Sequence, residues 1–139
     1  MSEIVFPEDT NPYGTMFGGR ALQLMDKVAG VAATRYCHNA VVTACSDRVN
    51  FEISIPKGAM IELIGKVVRT GKTSMVVKVS LYDEGLLANQ RVLCTSGFFT
   101  MVAVDKQLRP ISVVENFEPQ TEKEKADWAS AEAAQLRPE

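Results

Sequence analysis

Apolar and polar positions divide the chain into short stretches of distinct period. Residues 2–6 (SEIVF) form a brief apolar run that predicts a short strand. Residues 7–15 (PEDTNPYGT) are rich in Pro, Asp, Asn and Gly and predict a loop. From Phe17-Gly18-Gly19 to about Cys37, apolar positions recur at helical spacing. His38-Asn39 closes this run, with Asn39 suited to a left-handed stop. Four strand-like runs follow. Residues 41–53 place Val41, Thr43, Cys45, Asp47, Val49, Phe51 and Ile53 on one face, and residues 59–69 come after a turn at Pro56-Lys57-Gly58. Residues 74–82 align Met75, Val77, Val79 and Leu81, and residues 89–104 are rich in β-forming side chains. Thr70-Gly71-Lys72-Thr73 and Asp83-Glu84-Gly85 are turn signals between them, so the runs predict an antiparallel meander. Residues 120–137 predict a final helix, with Glu122-Lys123-Glu124-Lys125 as a solvated face.

One long helix followed by four long strands predicts an α+β fold in which a sheet wraps the helix. A single sheet covers only part of so apolar a helix, so a second copy of the chain is the expected partner.

The length of 139 residues predicts one domain. A net charge of −2 provides no global field for nucleic acid. The N-terminus lacks a basic segment followed by an apolar one, and no run has the ~18 apolar residues of a membrane span. These features predict a cytoplasmic protein. Cys37, Cys45 and Cys94 have no metal-like spacing and read as three buried thiols in a reducing compartment.

The helix carries an anomaly. At about 100° per residue, Asp26 lies within roughly 60° of Gly19, Leu22, Ala29, Gly30, Ala33 and Cys37. Arg20, Gln23, Lys27 and Thr34 share a different sector. A carboxylate in a small, apolar stripe is costly unless it is bonded or opens on a cavity. Asp26 reads either as a partner for a basic group across an interface or as a base that activates water. Met16-Phe17-Gly18-Gly19 begins the helix, where backbone N–H groups lack internal partners. That start is either a plain glycine-rich turn or a donor set for an oxygen gaining negative charge. Asn11, before Pro12, is either a turn residue or an amide that holds a carbonyl or a water. Arg69-Thr70-Gly71-Lys72-Thr73-Ser74 reads as a hairpin turn or a small phosphate site, and the spacing is not that of a P-loop. Arg48 and Asn50 share a strand face and border the same cleft.

Taken together, Asn11 to Gly19, then Met25-Asp26, resemble the opening of the acyl-CoA hydrolase family that includes the brain-type cytosolic hydrolase and its single-domain bacterial relatives. Val49-Asn50-Phe51 with Pro56 and Gly58, Arg69 to Met75, and Phe98 to Asp105 resemble that family's later blocks. The resemblance covers roughly residues 8–113. It implies a hotdog fold over residues 1–115, with 116–139 as a helical tail outside it. It also implies a dimer with one continuous sheet, assembled into a hexamer as a trimer of dimers. The implied activity is hydrolysis of acyl-CoA to free acid and CoA within fatty acid metabolism. Its site would join Asp26, as general base or nucleophile, to Asn11 of the partner subunit, with Gly19 at the carbonyl. CoA would lie along Phe17, Gly18, Arg48, Asn50 and the loop Arg69, Thr70, Gly71, Lys72, Thr73 and Ser74. No metal or cofactor is implied, since coenzyme A is part of substrate and product, and neither nucleic acid nor membrane is an expected partner. Arg20 departs from the pattern, where a less charged or an aromatic residue is expected.

Three rival readings differ in chemistry. A hotdog dehydratase normally needs a His beside a carboxylate, but His38 lies about 18 Å along the helix from Asp26 at ~1.5 Å per residue. A sensor would bind acyl-CoA without turnover. A thioesterase for acyl carrier protein would bring Arg69 and Lys72 to an acidic partner.

Overall fold

The computed structural model describes residues 1–85, 89–113 and 118–135, with side chains to 132. The expected boundary between 115 and 116, and the expected end of the tail helix, lie outside those residues.

The chain runs β1 (Ser2–Ile4), α1 (Gly18–Cys37), β2 (Val41–Phe51), β3 (Met60–Thr70), β4 (Ser74–Asp83), β5 (Val92–Ala103) and α2 (Glu122–Gln135), with a 3₁₀ turn at Pro7–Asp9 inside the first loop. The strands make one antiparallel sheet in the order β1-β3-β4-β5-β2. This corrects the expected meander. β3, β4 and β5 follow one another, but β2 crosses to the far side of β5 and becomes an edge.

The alternation in β4 decides the core. Met75, Val77, Val79 and Leu81 are each 0% exposed, and burying such a side chain stabilises by about 1.5–3 kcal/mol. They meet Ala21, Leu24, Met25, Val28, Ala29, Ala33 and Cys37 from α1, which packs across all four long strands. Gly65 of β3 allows the helix this close: a Cβ there would sit 2.7 Å from Val28 Cγ1 and 3.4 Å from the Val28 carbonyl oxygen. At its C-terminus α1 stops at His38, which takes the left-handed conformation (φ 57°). Asn39 does not; its amide donates back to the Cys37 carbonyl at 3.1 Å.

β2 departs from the expected single face. Register shifts between Thr43 and Cys45 and between Asp47 and Asn50 break its alternation, and Arg48 sits at φ 50° inside the second. Bulges of this kind bend a strand and re-aim its side chains. Most of β2 is exposed, including Cys45. Only Cys37 and Cys94 are therefore buried thiols, and burial pushes the Cys94 thiol up from its ordinary range.

α2 packs on the opposite face of the sheet, where Ala131 meets Val68, Val76 and Phe98. Thr121 and Glu124 form a reciprocal cap. The Thr121 Oγ1 accepts the Glu124 N–H at 3.0 Å and Glu124 Oε1 accepts the Thr121 N–H at 3.1 Å. The run expected to be a solvated face is thus partly anchored. Glu124 pairs with Lys66 at 3.1 Å, and one turn on Asp127 pairs with Lys78 at 2.8 Å.

Candidate functional site

Asp26 projects from the open side of α1 and is exposed in the single chain. The expected burial is not present, for a simple angular reason. The helix presses Met25 and Ala29 into the sheet, and Asp26 stands about 100° further round. Its carboxylate is nonetheless held, because Oδ1 accepts the Thr43 hydroxyl of β2 at 2.6 Å. That length belongs to a charge-assisted O–H···O⁻ bond. Thr43 immediately precedes the first bulge of β2. Sequence reasoning placed Thr43 on a strand face and gave it no role. Its only local signal is a hydroxyl in an otherwise apolar stretch, and the partner stands 17 residues away.

Asn11 is fixed by its own loop. Its Oδ1 accepts N–H groups from Tyr13 at 2.9 Å and Thr15 at 3.2 Å, and its Nδ2 donates to Thr15 Oγ1 at 2.9 Å. This is the turn role, and it holds the amide rigidly beside a cavity of about 210 Å³ lined also by Gly18, Phe51, Ser54 and Thr95. Asp26 does not line that cavity, so one chain does not gather Asn11 and Asp26 in one pocket.

The helix start is open. No side chain caps it. A Cβ on Gly19 would meet nothing within 4 Å, whereas one on Gly18 would sit against the Phe51 ring, 3.5 Å from its Cζ. Phe17, just outside the first turn, is half exposed. Arg20 is accounted for differently from a groove residue: its Nε pairs with Asp9 at 3.0 Å and Nη1 donates to Gln23 at 2.8 Å, strapping the first loop to the helix.

The Arg69–Ser74 segment closes the β3–β4 hairpin, with the Gly71 N–H donating to the Ser74 carbonyl at 2.8 Å. Arg69 lies over the Trp128 ring of α2, 5.5 Å from its centroid. Thr70 is buried, Thr73 and Ser74 are half-buried, and Lys72 is the exposed cation of the loop. Asn50 pairs with Ser96 across the sheet and is exposed, while Arg48 occupies the bulge, so the two do not share a regular face.

Two wider grooves flank α1. One, of about 800 Å³, runs between the helix and β3 along Val28, Ala32, Tyr36 and Ile64. The other, of about 630 Å³, follows Lys27, Val31 and Arg35 to Val41 at the start of β2. Both are mainly apolar, and the second leaves the open helix face uncovered beside the β2 edge.

Comparison with known proteins agrees with this architecture. Residues 13–88 match the family model described as thioesterase superfamily. The rat cytosolic acyl coenzyme A thioester hydrolase is 33% identical over 136 residues, 96% of this chain. The chain spans only 35% of that relative's length. An apo-hexameric acyl-CoA thioesterase superposes with a TM-score of 0.91 at 43% identity, over 97% of this chain and 86% of the other. An acyl-CoA hydrolase from Staphylococcus aureus, solved with butyryl coenzyme A and coenzyme A, gives a TM-score of 0.88 at 30% identity, over 96% and 81%. Other structures of that hydrolase replace an asparagine, an aspartate and a threonine by alanine, at positions fifteen and then seventeen residues apart. The sheet, the helix across it and these likenesses are those of a hotdog fold, and the chain belongs to the thioesterase superfamily.

Proposed function

We propose that this chain hydrolyses acyl-CoA thioesters to a free carboxylic acid and coenzyme A, at a site completed by two copies of the chain. The observation that carries the reading is the Asp26–Thr43 bond: an accessible carboxylate, fixed at one oxygen, on a helix whose start is open. Asp26 takes a proton from water as the water oxygen attacks the thioester carbonyl carbon. The Gly19 N–H stabilises the oxyanion, and the CoA thiolate leaves and is protonated. Asn11 of a second copy orients the water or the carbonyl.

Support comes from the names of the relatives and from spacing. Asn11, Asp26 and Thr43 repeat the fifteen- and seventeen-residue intervals of the substituted residues in the S. aureus hydrolase. The β2 edge, exposed from Val42 to Ser46, suits pairing with a second copy, which would also cover the open face of α1. A trimer of such dimers matches the hexamer of the similar thioesterase. For the CoA phosphates, Lys72 is the accessible cation of the β3–β4 loop, with Thr73, Ser74 and the Gly71 backbone beside it. Arg48, Asn50, Phe17 and Gly18 would border the rest of the CoA path. No helix among the described residues is long and apolar enough to cross a membrane, and a cytoplasmic setting accords with the cytosolic relative.

The test is a panel of acyl-CoAs with CoA release measured alongside oligomer size. Asp26→Ala should lower kcat by about 10²–10⁴; near wild-type turnover in an intact oligomer would end the reading. Mixing Asn11→Ala with Asp26→Ala subunits should restore activity if the site is shared, and no recovery despite subunit exchange would show that it is not.

A further inference from the structure

The cavity beside Asn11 contains a group that the proposed mechanism does not use. Thr95, on β5, is 1% exposed and lines the cavity. Its Oγ1 is buried and has no hydrogen-bond partner among the described residues. In the sheet it stands between two apolar neighbours, Leu81 and Phe51. A hydroxyl stranded in such a place is costly unless something entering the cavity bonds to it.

The cavity also has the wrong lining for a plain alkyl chain. Met16, Ala21, Phe51, Ile53 and Ile55 supply apolar walls, but Asn11, Thr15, Ser54 and Thr95 interrupt them. Its volume of about 210 Å³ equals roughly seven water-sized units at ~30 Å³ each. That accommodates a short acyl group.

We infer that this cavity is an acyl subsite for short acyl groups bearing a hydroxyl or keto oxygen, with Thr95 as its specificity-determining residue. The inference rests on the hydrolase reading, which brings the thioester to Asn11. A threonine hydroxyl both donates and accepts, so it serves either oxygen. A bare alkyl chain of equal length would leave the hydroxyl unbonded. Stranding a buried hydroxyl corresponds to roughly tenfold to a hundredfold in kcat/KM between the two substrates.

The experiment compares butyryl- and hexanoyl-CoA with 3-hydroxybutyryl-, 3-hydroxyhexanoyl- and acetoacetyl-CoA, on the wild type, Thr95→Val and Thr95→Ser. The wild type should prefer the oxygenated substrate at each length by about tenfold or more. Thr95→Val should bring that ratio towards one, and Thr95→Ser should keep it. Because valine removes an unbonded hydroxyl without opening a hole, Thr95→Val should melt no lower than the wild type. A wild-type ratio near one, or a ratio unmoved by Thr95→Val, overturns the subsite while leaving the hydrolase intact. A lower melting temperature in Thr95→Val also overturns it, because the hydroxyl would then serve the fold. Release of CoA from none of the thioesters removes the hydrolase reading and the subsite together.

Discussion

Replacing Thr43 by valine removes one oxygen from β2 and keeps the shape of the side chain. The lost interaction is the 2.6 Å bond to Asp26 Oδ1. Hydrogen bonds to charged groups contribute about 1.5–3 kcal/mol. The pair is exposed in the single chain, so the lower part of that range applies. At about 1.36 kcal/mol per factor of ten, kcat should fall roughly tenfold, and more if pairing of β2 removes the site from water. KM should change little if Thr43 acts only by orienting the base. Thr43→Ser, which keeps the hydroxyl, should recover most of the rate. If Thr43 acts only through Asp26, the Thr43→Val, Asp26→Ala double variant should be no slower than Asp26→Ala alone. The assay is steady-state CoA release with circular dichroism and oligomer size as controls. A folded Thr43→Val oligomer with kcat within about twofold of wild type would refute the positioning role.

Further predictions concern the frame. Gly65→Ala puts a Cβ 2.7 Å from Val28 Cγ1, and overpacking of this kind should destabilise by about 1–3 kcal/mol in denaturant unfolding; an unchanged midpoint would mean that α1 shifts freely on the sheet. Lys78→Met strips Asp127 of its 2.8 Å partner. A fully buried pair would lose about 3–5 kcal/mol, and partial exposure of Lys78 reduces this to roughly 1–2 kcal/mol. Adding Asp127→Leu should return the loss, and failure of that rescue would count against the ion pair as the anchor of α2. Bonds from the Thr121 N–H, then Lys66, hold the Glu124 carboxyl below its ordinary value of 4.5. A depressed folded value means its contribution is complete above 4.5 and disappears as pH falls through the lower folded value. Trp128, the chain's single tryptophan, should therefore report loosening of α2 in that acid window, and Glu124→Gln should remove the step.

Much of the fold was legible because burial leaves a periodic trace. The period of two in Met75, Val77, Val79 and Leu81 marked the inner face of β4, and the helical run from Gly18 to Cys37 marked α1 to within a residue. The capping box of α2, Thr121 with Glu124, was also present as a local pattern but was read as surface charge. Strand order was not legible. Nothing local to residues 41–51 says that they pair with β5 instead of β3, since that choice depends on contacts fifty residues away. The bulges in β2 were hidden for the same reason.

The site divides along that line. By itself the sequence determined which side chains are available: an aspartate on a small-residue helix, two glycines at its start, an asparagine in a tight loop. Local chemistry is enough for that, since turns, caps and amphipathic faces depend on neighbours in the chain. Only the tertiary structure decided what each of them touches. It turned Met25 instead of Asp26 into the core, brought Thr43 to the carboxylate, gave Arg69 to Trp128, and buried the hydroxyl of Thr95 beside the Asn11 cavity. Those outcomes depend on how a helix is rotated against a sheet and where a strand bulges. Long-range packing sets both, and residue spacing carries no record of either.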